Sequence, residues 1–199
     1  MSKPMILGLT GGIASGKSTV SAFFSQWGDR VLDGDKLARE ALEPGTACYT
    51  DTVASFGPNI LNPDGTVNRK ALGKLVFASE TDRRTLNGIV HPYVLSRLQE
   101  LSWGAGGLVV WDVPLLFEIG WDAFVDKTLV VTAGEALRIC RIRKRDGVSH
   151  EQARLRIKAQ LPEEEKIRRA DYVIHNDGTL EELEKQARKV YETLHEAMD

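Results

Sequence analysis

Lys17 and Ser18 close the run Gly11-Gly12-Ile13-Ala14-Ser15-Gly16-Lys17-Ser18-Thr19, which contains Gly-x-x-x-x-Gly-Lys-Ser. That spacing makes a loop that cradles phosphates. Gly11, Gly12 and Gly16 are expected to take positive φ and bring the backbone close to a polyanion. Their N–H groups and the positive end of the following helix then point at the phosphates. Lys17 is a compact cation for the β- and γ-phosphates, and the Ser18 hydroxyl suits Mg²⁺. The pattern predicts that ATP or a similar triphosphate binds here with magnesium.

Two carboxylates end apolar runs elsewhere. Asp33 follows Val31-Leu32, and Asp112 follows Leu108-Val109-Val110-Trp111. In open parallel sheets ligands bind beyond the carboxyl ends of the strands, so both are candidates. Asp33 suits a base that takes a proton from an acceptor hydroxyl, a metal holder acting through water, or a plain helix cap. Asp112 suits a magnesium-side acid or a turn residue. From Glu135 to Ala170 eleven basic residues face six acidic ones, and Arg141 and Arg145 stand four apart on one helix face. That arrangement fits a lid closing arginines over transferring phosphates, with a solvated face or a nucleic-acid stripe as alternatives. His91-Pro92 reads, on the residues alone, as a core histidine, with a substrate contact as the alternative.

The elements that must position these groups follow from periodicity. Met5–Leu9, Arg30–Asp33, Leu108–Trp111, Lys127–Thr132 and Tyr172–Ile174 read as strands. Val20, Phe23, Phe24 and Trp27 recur at helical spacing behind the loop. Further helices are expected over 34–42, 46–56, from Asn68 with Ala71, Leu72, Leu75 and Val76 inward, and over 80–102, where Pro92 should kink or break the helix. Beyond Glu135 come one helix to about Arg145 and one opened by Ser149 and Gln152. Another has Pro162 in its first turn, and a last begins at Thr179 with Leu180, Leu183, Ala187, Val190 and Leu194 buried. Strands alternating with helices indicate an α/β architecture with a parallel sheet. The helical block between the second and third strands is too long for a simple crossover, so part of it should stand off the sheet.

The chain has 199 residues, 42% hydrophobic and 27% charged, with a net charge of −2. That balance gives no argument for nucleic acid or an anionic membrane as partner. Cys48 and Cys140 have no metal-ligand spacing and are expected to be free thiols in a reducing, cytoplasmic setting. No run approaches a membrane span, and no secretory signal is expected. An Asn-Lys-x-Asp guanine-reading segment is missing, which argues against a GTP switch.

Taken together, the motifs resemble those of the dephospho-coenzyme A kinase family. The resemblance rests on Gly8 to Thr19, Asp33-x-Asp35 with Ala38-Arg39, Pro44-Gly45, His91-Pro92 and Asp112-Val-Pro-Leu-Leu-Phe-Glu118. It continues through Arg141-x-x-x-Arg145-Asp146, Arg156-Ile-x-x-Gln160 and Ala170-Asp-x-Val-Ile-x-Asn176-x-Gly178. The resemblance implies a P-loop kinase fold: one domain over 1–199, a five-stranded parallel core, a helical substrate-binding insertion at about 35–103 and a basic lid at about 138–169. It implies ATP-dependent phosphorylation of the ribose 3′-hydroxyl of dephospho-coenzyme A, with Mg²⁺, a small-molecule acceptor and no nucleic-acid or membrane partner; the oligomeric state is left open, with a monomer favoured. By position, Asp33 becomes the base, Lys17 and the loop amides the phosphate clamp, and Arg141 and Arg145 the lid arginines. Gly12, Ile13, Ala14, Ser15, Gly16, Lys17, Ser18, Thr19, Asn176 and Gly178 become the nucleotide contacts. Thr10, Asp35, Arg39, His91, Asp112, Leu115, Leu116, Phe117 and Glu118 fall on the acceptor side, and Ser18 with Asp112 on the metal. Two residues depart from the pattern: Ala14 replaces a usual glycine, and Gly34 a usual alanine. The first requires residue 14 to take a conformation open to alanine.

Overall fold

Five short apolar runs pair into one sheet in the computed structural model, which describes residues 3–198. The strands are β1 (Met5–Gly11), β2 (Arg30–Asp33), β3 (Leu108–Asp112), β4 (Lys127–Thr132) and β5 (Tyr172–His175), in spatial order β2-β3-β1-β4-β5. The pairings of β1 with β3, β1 with β4 and β4 with β5 are parallel. All five residues of β3 and the last five of β1 are buried, which is why these strands read as apolar runs rather than alternations. Successive strands leave β1 first toward β3 and β2, then toward β4 and β5. Their carboxyl ends therefore diverge at β1, where such sheets place a ligand.

The helices are α1 (Lys17–Gln26), α2 (Gly34–Glu40), α3 (Ala47–Phe56), α4 (Arg69–Ala78), α5 (Glu80–Ser102), α6 (Glu135–Asp146), α7 (His150–Lys158), α8 (Glu163–Arg169) and α9 (Leu180–Glu196). The main core joins Leu7 and Leu9 of β1, Phe24 of α1, Val110 of β3, Leu129 of β4, and Leu183 and Leu194 of α9. Each fully buried leucine contributes about 2 kcal/mol. Trp111 is also fully buried and satisfies its indole N–H by donating to Ser102 Oγ at 2.8 Å. The capping boxes of α7 (Ser149 with Gln152) and α9 (Thr179 with Glu182) form as the sequence indicates.

The chain divides into two compact units: residues up to Leu32 together with those from Ser102 on, and Asp33–Leu101. The second unit is helical and has a small core of Ile60, Val67 and Leu72. Its helices begin on local caps: Asp33 accepts from Lys36 N, Thr46 from Tyr49 N and Asn68 from Ala71 N, each at 3.0 Å.

Three expectations change. α5 runs unbroken through Pro92. The residue whose carbonyl a helical proline would crowd is Gly88, where the backbone adjusts easily. Leu75 faces outward, leaving Leu72 as the buried residue of α4. Leu180 is 62% exposed instead of joining the α9 stripe, because it stands in the first turn, past the edge of the core. No described helix is long and apolar enough to cross a membrane.

Candidate active site

Gly16 ends the glycine turn as the N-cap of α1, with φ 98° and ψ 16°. No side chain caps that helix, and no acid stands in its first turn. A helix start left uncapped offers its N–H groups and dipole to an anion. Alanine at Gly16 would be strained and would also collide with the Asn176 amide. Gly11 and Gly12 correct the expectation of positive φ, since only Gly16 and Ala14 take it within the loop. The first two glycines serve close approach instead: a Cβ at Gly11 would strike the Val131 carbonyl, and one at Gly12 the Arg138 guanidinium.

Ala14 lies at φ 62°, the left-handed region. For an L-residue that conformation costs about 1 kcal/mol and persists only where the surroundings dictate it. They do so here. Ile13 N donates to Gln160 Oε1 at 2.8 Å, and Ile13 O accepts from Arg138 Nε at 3.0 Å. Ala14 O accepts from Arg141 Nη1 at 3.2 Å, and Ser15 O from Asn176 Nδ2 at 2.8 Å. Three consecutive carbonyls are thus turned outward to side-chain donors. In a planar trans peptide the N–H points opposite the C=O, so the N–H groups of Ala14 and Gly16 turn inward. Neither has an acceptor among the described residues.

Lys17, the first residue of α1, forms an ion pair with Asp112 at the end of β3. Both side chains are largely buried. Thr10 Oγ1 donates to Pro114 O at 2.9 Å, tying the end of β1 to the segment after β3. Arg141 reaches the loop carbonyls and also donates to Asn176 O at 3.1 Å. The Arg145 guanidinium pairs with Asp146 at 2.7 Å. Arg141 and Arg145 nonetheless line one cavity of about 380 Å³ with Ala14, Gly16, Ser18, Asn176 and Leu180.

The segment after β3 divides by burial. Leu115 is exposed, whereas Leu116 (0%) and Phe117 (4%) are packed inside, the latter beneath the Arg169 guanidinium at 4.6 Å. Glu118 turns to the buried Lys166 ammonium at 2.6 Å and accepts from Leu161 N at 3.1 Å, anchoring the turn between α7 and α8. Asp33, Asp35, Arg39 and His91 belong to the second unit. There Asp33 Oδ1 caps α2, Arg39 Nε donates to Asp35 O at 3.1 Å, and burial pushes the half-buried His91 imidazole below its usual pKa.

Sequence reasoning passed over Arg138, which is only 3% exposed and is held by Glu163 of α8. Its spacing of three from Arg141 on α6 was the available signal. It also left Gln160 without a role and read Leu180 as core.

A family model described as dephospho-CoA kinase matches residues 5–182. The chain is 47% identical over 186 residues to a dephospho-CoA kinase of Geobacillus kaustophilus, covering 92% of each protein. It is 43% identical to one of Arabidopsis thaliana over 93% of this chain and 82% of that protein. Among solved structures, TT1252 from Thermus thermophilus superposes with a TM-score of 0.84 at 39% identity, covering 96% of this chain and 98% of that one. A shikimate kinase from Bacteroides thetaiotaomicron, at 16% identity and a TM-score of 0.53 over 96% of this chain and 98% of that one, shares the fold.

Proposed function

Because this chain belongs to the dephospho-CoA kinase family, we propose that its glycine turn grips ATP while Asp33 prepares the acceptor. The protein is a kinase of the last step of coenzyme A synthesis and takes its phosphate from ATP. The reaction joins the γ-phosphoryl group to the ribose 3′-hydroxyl of dephospho-coenzyme A. The observation that carries the mechanism is the uncapped start of α1 at Gly16, with Lys17 beside it.

On this reading the inward N–H groups of Ala14 and Gly16 and the first turn of α1 receive the phosphates. Lys17 leaves Asp112 for the β- and γ-oxygens, where its charge offsets the charge spread over the transferring group. Asp112 is then a buried carboxylate without its cation, and with the Ser18 hydroxyl it offers the hard oxygen donors that suit Mg²⁺. A bound Mg²⁺ would add charge neutralisation at the phosphates. Asp33 takes the proton from the acceptor hydroxyl through Oδ2, since Oδ1 is committed to Lys36 N. The basic 138–169 segment acts as the lid, with Arg141 and Arg145 over the phosphates, and excludes water that would otherwise hydrolyse ATP. The helical insertion, about 35–103, receives the acceptor through Asp35, Arg39 and His91. Asn176 and Gly178 flank the adenine.

The test is ADP release with Mg·ATP and a panel of acceptors: dephospho-coenzyme A, nucleosides and nucleoside monophosphates. Turnover confined to dephospho-coenzyme A supports the reading. Faster turnover of a nucleoside monophosphate would overturn it.

A further inference from the structure

We infer that Arg138 and Gln160 are positioning residues that fix Ile13 from both sides, Gln160 through its N–H and Arg138 through its C=O, and so hold the Ile13–Ala14 peptide in the orientation the phosphates require. The inference rests on the glycine turn being the ATP site and adds residues to which no role in it has been given.

The two side chains grip the same residue from opposite ends. Gln160 accepts the Ile13 N–H, and Arg138 donates to the Ile13 C=O. The second bond fixes the plane of the peptide that carries the Ala14 N–H, and turns that N–H into the loop. Without it the peptide is free to rotate. Ala14 would leave the left-handed region, which an alanine does not favour on its own, and one phosphate donor would swing away.

Both grips are themselves braced. Arg138 is buried on α6, and its Nη1 pairs with Glu163 of α8, so its guanidinium cannot simply turn aside. Gln160 lies in the turn between α7 and α8, whose next residue, Leu161, is held through its N–H by Glu118. Gly12 shows how closely the pieces meet, because any Cβ there would occupy the space of the Arg138 guanidinium. The contacts from Arg138 and Gln160 thus set the shape of the loop before any nucleotide arrives, and the strain at Ala14 makes that support necessary.

The experiment compares Arg138→Met and Gln160→Met, alone and each combined with Ala14→Gly, by calorimetric ATP affinity, kcat and KM, and melting temperature. Loss of one oriented N–H to a charged phosphate should weaken ATP binding about tenfold. KM for ATP should rise accordingly while kcat changes less. Glycine takes positive φ without strain, so Ala14→Gly should shrink the loss to about threefold or less. A purely structural role predicts equal losses in both backgrounds, and that result, or unchanged affinity, overturns the inference. If Arg138→Met fails to fold, Gln160→Met carries the same comparison from a half-buried turn position. Absence of ATP binding by the unmodified protein would instead overturn the reading of the loop itself.

Discussion

The glycine turn is fixed by side chains from far along the chain, whereas the helices of the Asp33–Leu101 unit start on caps from their own neighbours. Gln160 and Ile13 are 147 residues apart in sequence, Arg138 and Ile13 125, and Asn176 and Ser15 161. In the helical unit the bonds that start α2, α3 and α4 each span 3 residues. Long-range contacts freeze one conformation and bear the closure entropy of everything between them, whereas local caps form and break almost independently. The difference suits two tasks. On the proposed reading, a phosphate cradle works by being arranged in advance, and a helical unit that receives a large, flexible acceptor works by adjusting.

The largest effect expected from this contrast is at Lys17. If Lys17 serves the transferring phosphate as proposed, Lys17→Ala should lower kcat/KM about a thousandfold, since that charge matters most in the transition state. The fold should survive, although Asp112 loses its partner. Steady-state kinetics beside a thermal melt would check both halves. A modest kinetic loss would mean that the cradle depends little on this cation, and the contrast between the regions would weaken.

Asp33 separates catalysis from capping. Asparagine caps helices about as well as aspartate, so Asp33→Asn should leave α2 and the melting temperature unchanged. If Asp33 is the base proposed above, the substitution removes it, and kcat should fall about a hundredfold with little change in ATP affinity. Near-normal turnover would leave Asp33 with the cap alone.

The same contrast explains what was legible in the sequence. Strand runs, the two capping boxes and the Asn68 cap are local patterns, and each element stands within a few residues of its expected bounds. The glycine-lysine spacing placed the loop between β1 and α1 for the same reason. Spacing could place Arg138 on the face of Arg141, but what Arg138 and Gln160 hold was not legible, because their partner is more than a hundred residues away. Nor could spacing reveal that Gly12 is needed for room rather than for its backbone freedom. The left-handed φ of Ala14 was hidden too, since it is imposed by contacts and not by the residue.

A smaller effect tests the first unit's long-range bonding away from the loop. Asp171, at the head of β5, accepts from Thr128 N and Thr128 Oγ1 of β4 at 2.8 Å each and pairs with Lys127 at 3.2 Å. Burial alone would raise its carboxyl pKa. The Thr128 bonds and Lys127 outweigh burial and hold it below the ordinary value of 3.8. Its folded pKa is therefore depressed, so its contribution is present above 3.8 and is lost as pH falls through the folded value. Asp171→Asn should cost about 1 kcal/mol at neutral pH, the ionic share being small for a side chain 38% exposed. That deficit should shrink in acid. Denaturant melts at neutral pH and below 3.8 would check the sign.

The most local effect lies at Thr46, where the helical unit depends on one residue's own neighbourhood. Its hydroxyl accepts from Tyr49 N at 3.0 Å to start α3 and donates back to Ala41 O at 2.5 Å. Thr46→Ala removes both bonds and should cost about 1 kcal/mol, the usual worth of an N-cap. Because the bonds are local, the loss should appear as faster amide exchange over α3, with the strands of the sheet keeping their protection. Thr46→Ser restores the oxygen and should recover most of it. If exchange instead rose equally in β1 and β3, the helical unit would be melting together with the sheet. The caps would then stabilise the whole molecule, and the distinction between a frozen cradle and an adjustable helical unit would have to be abandoned.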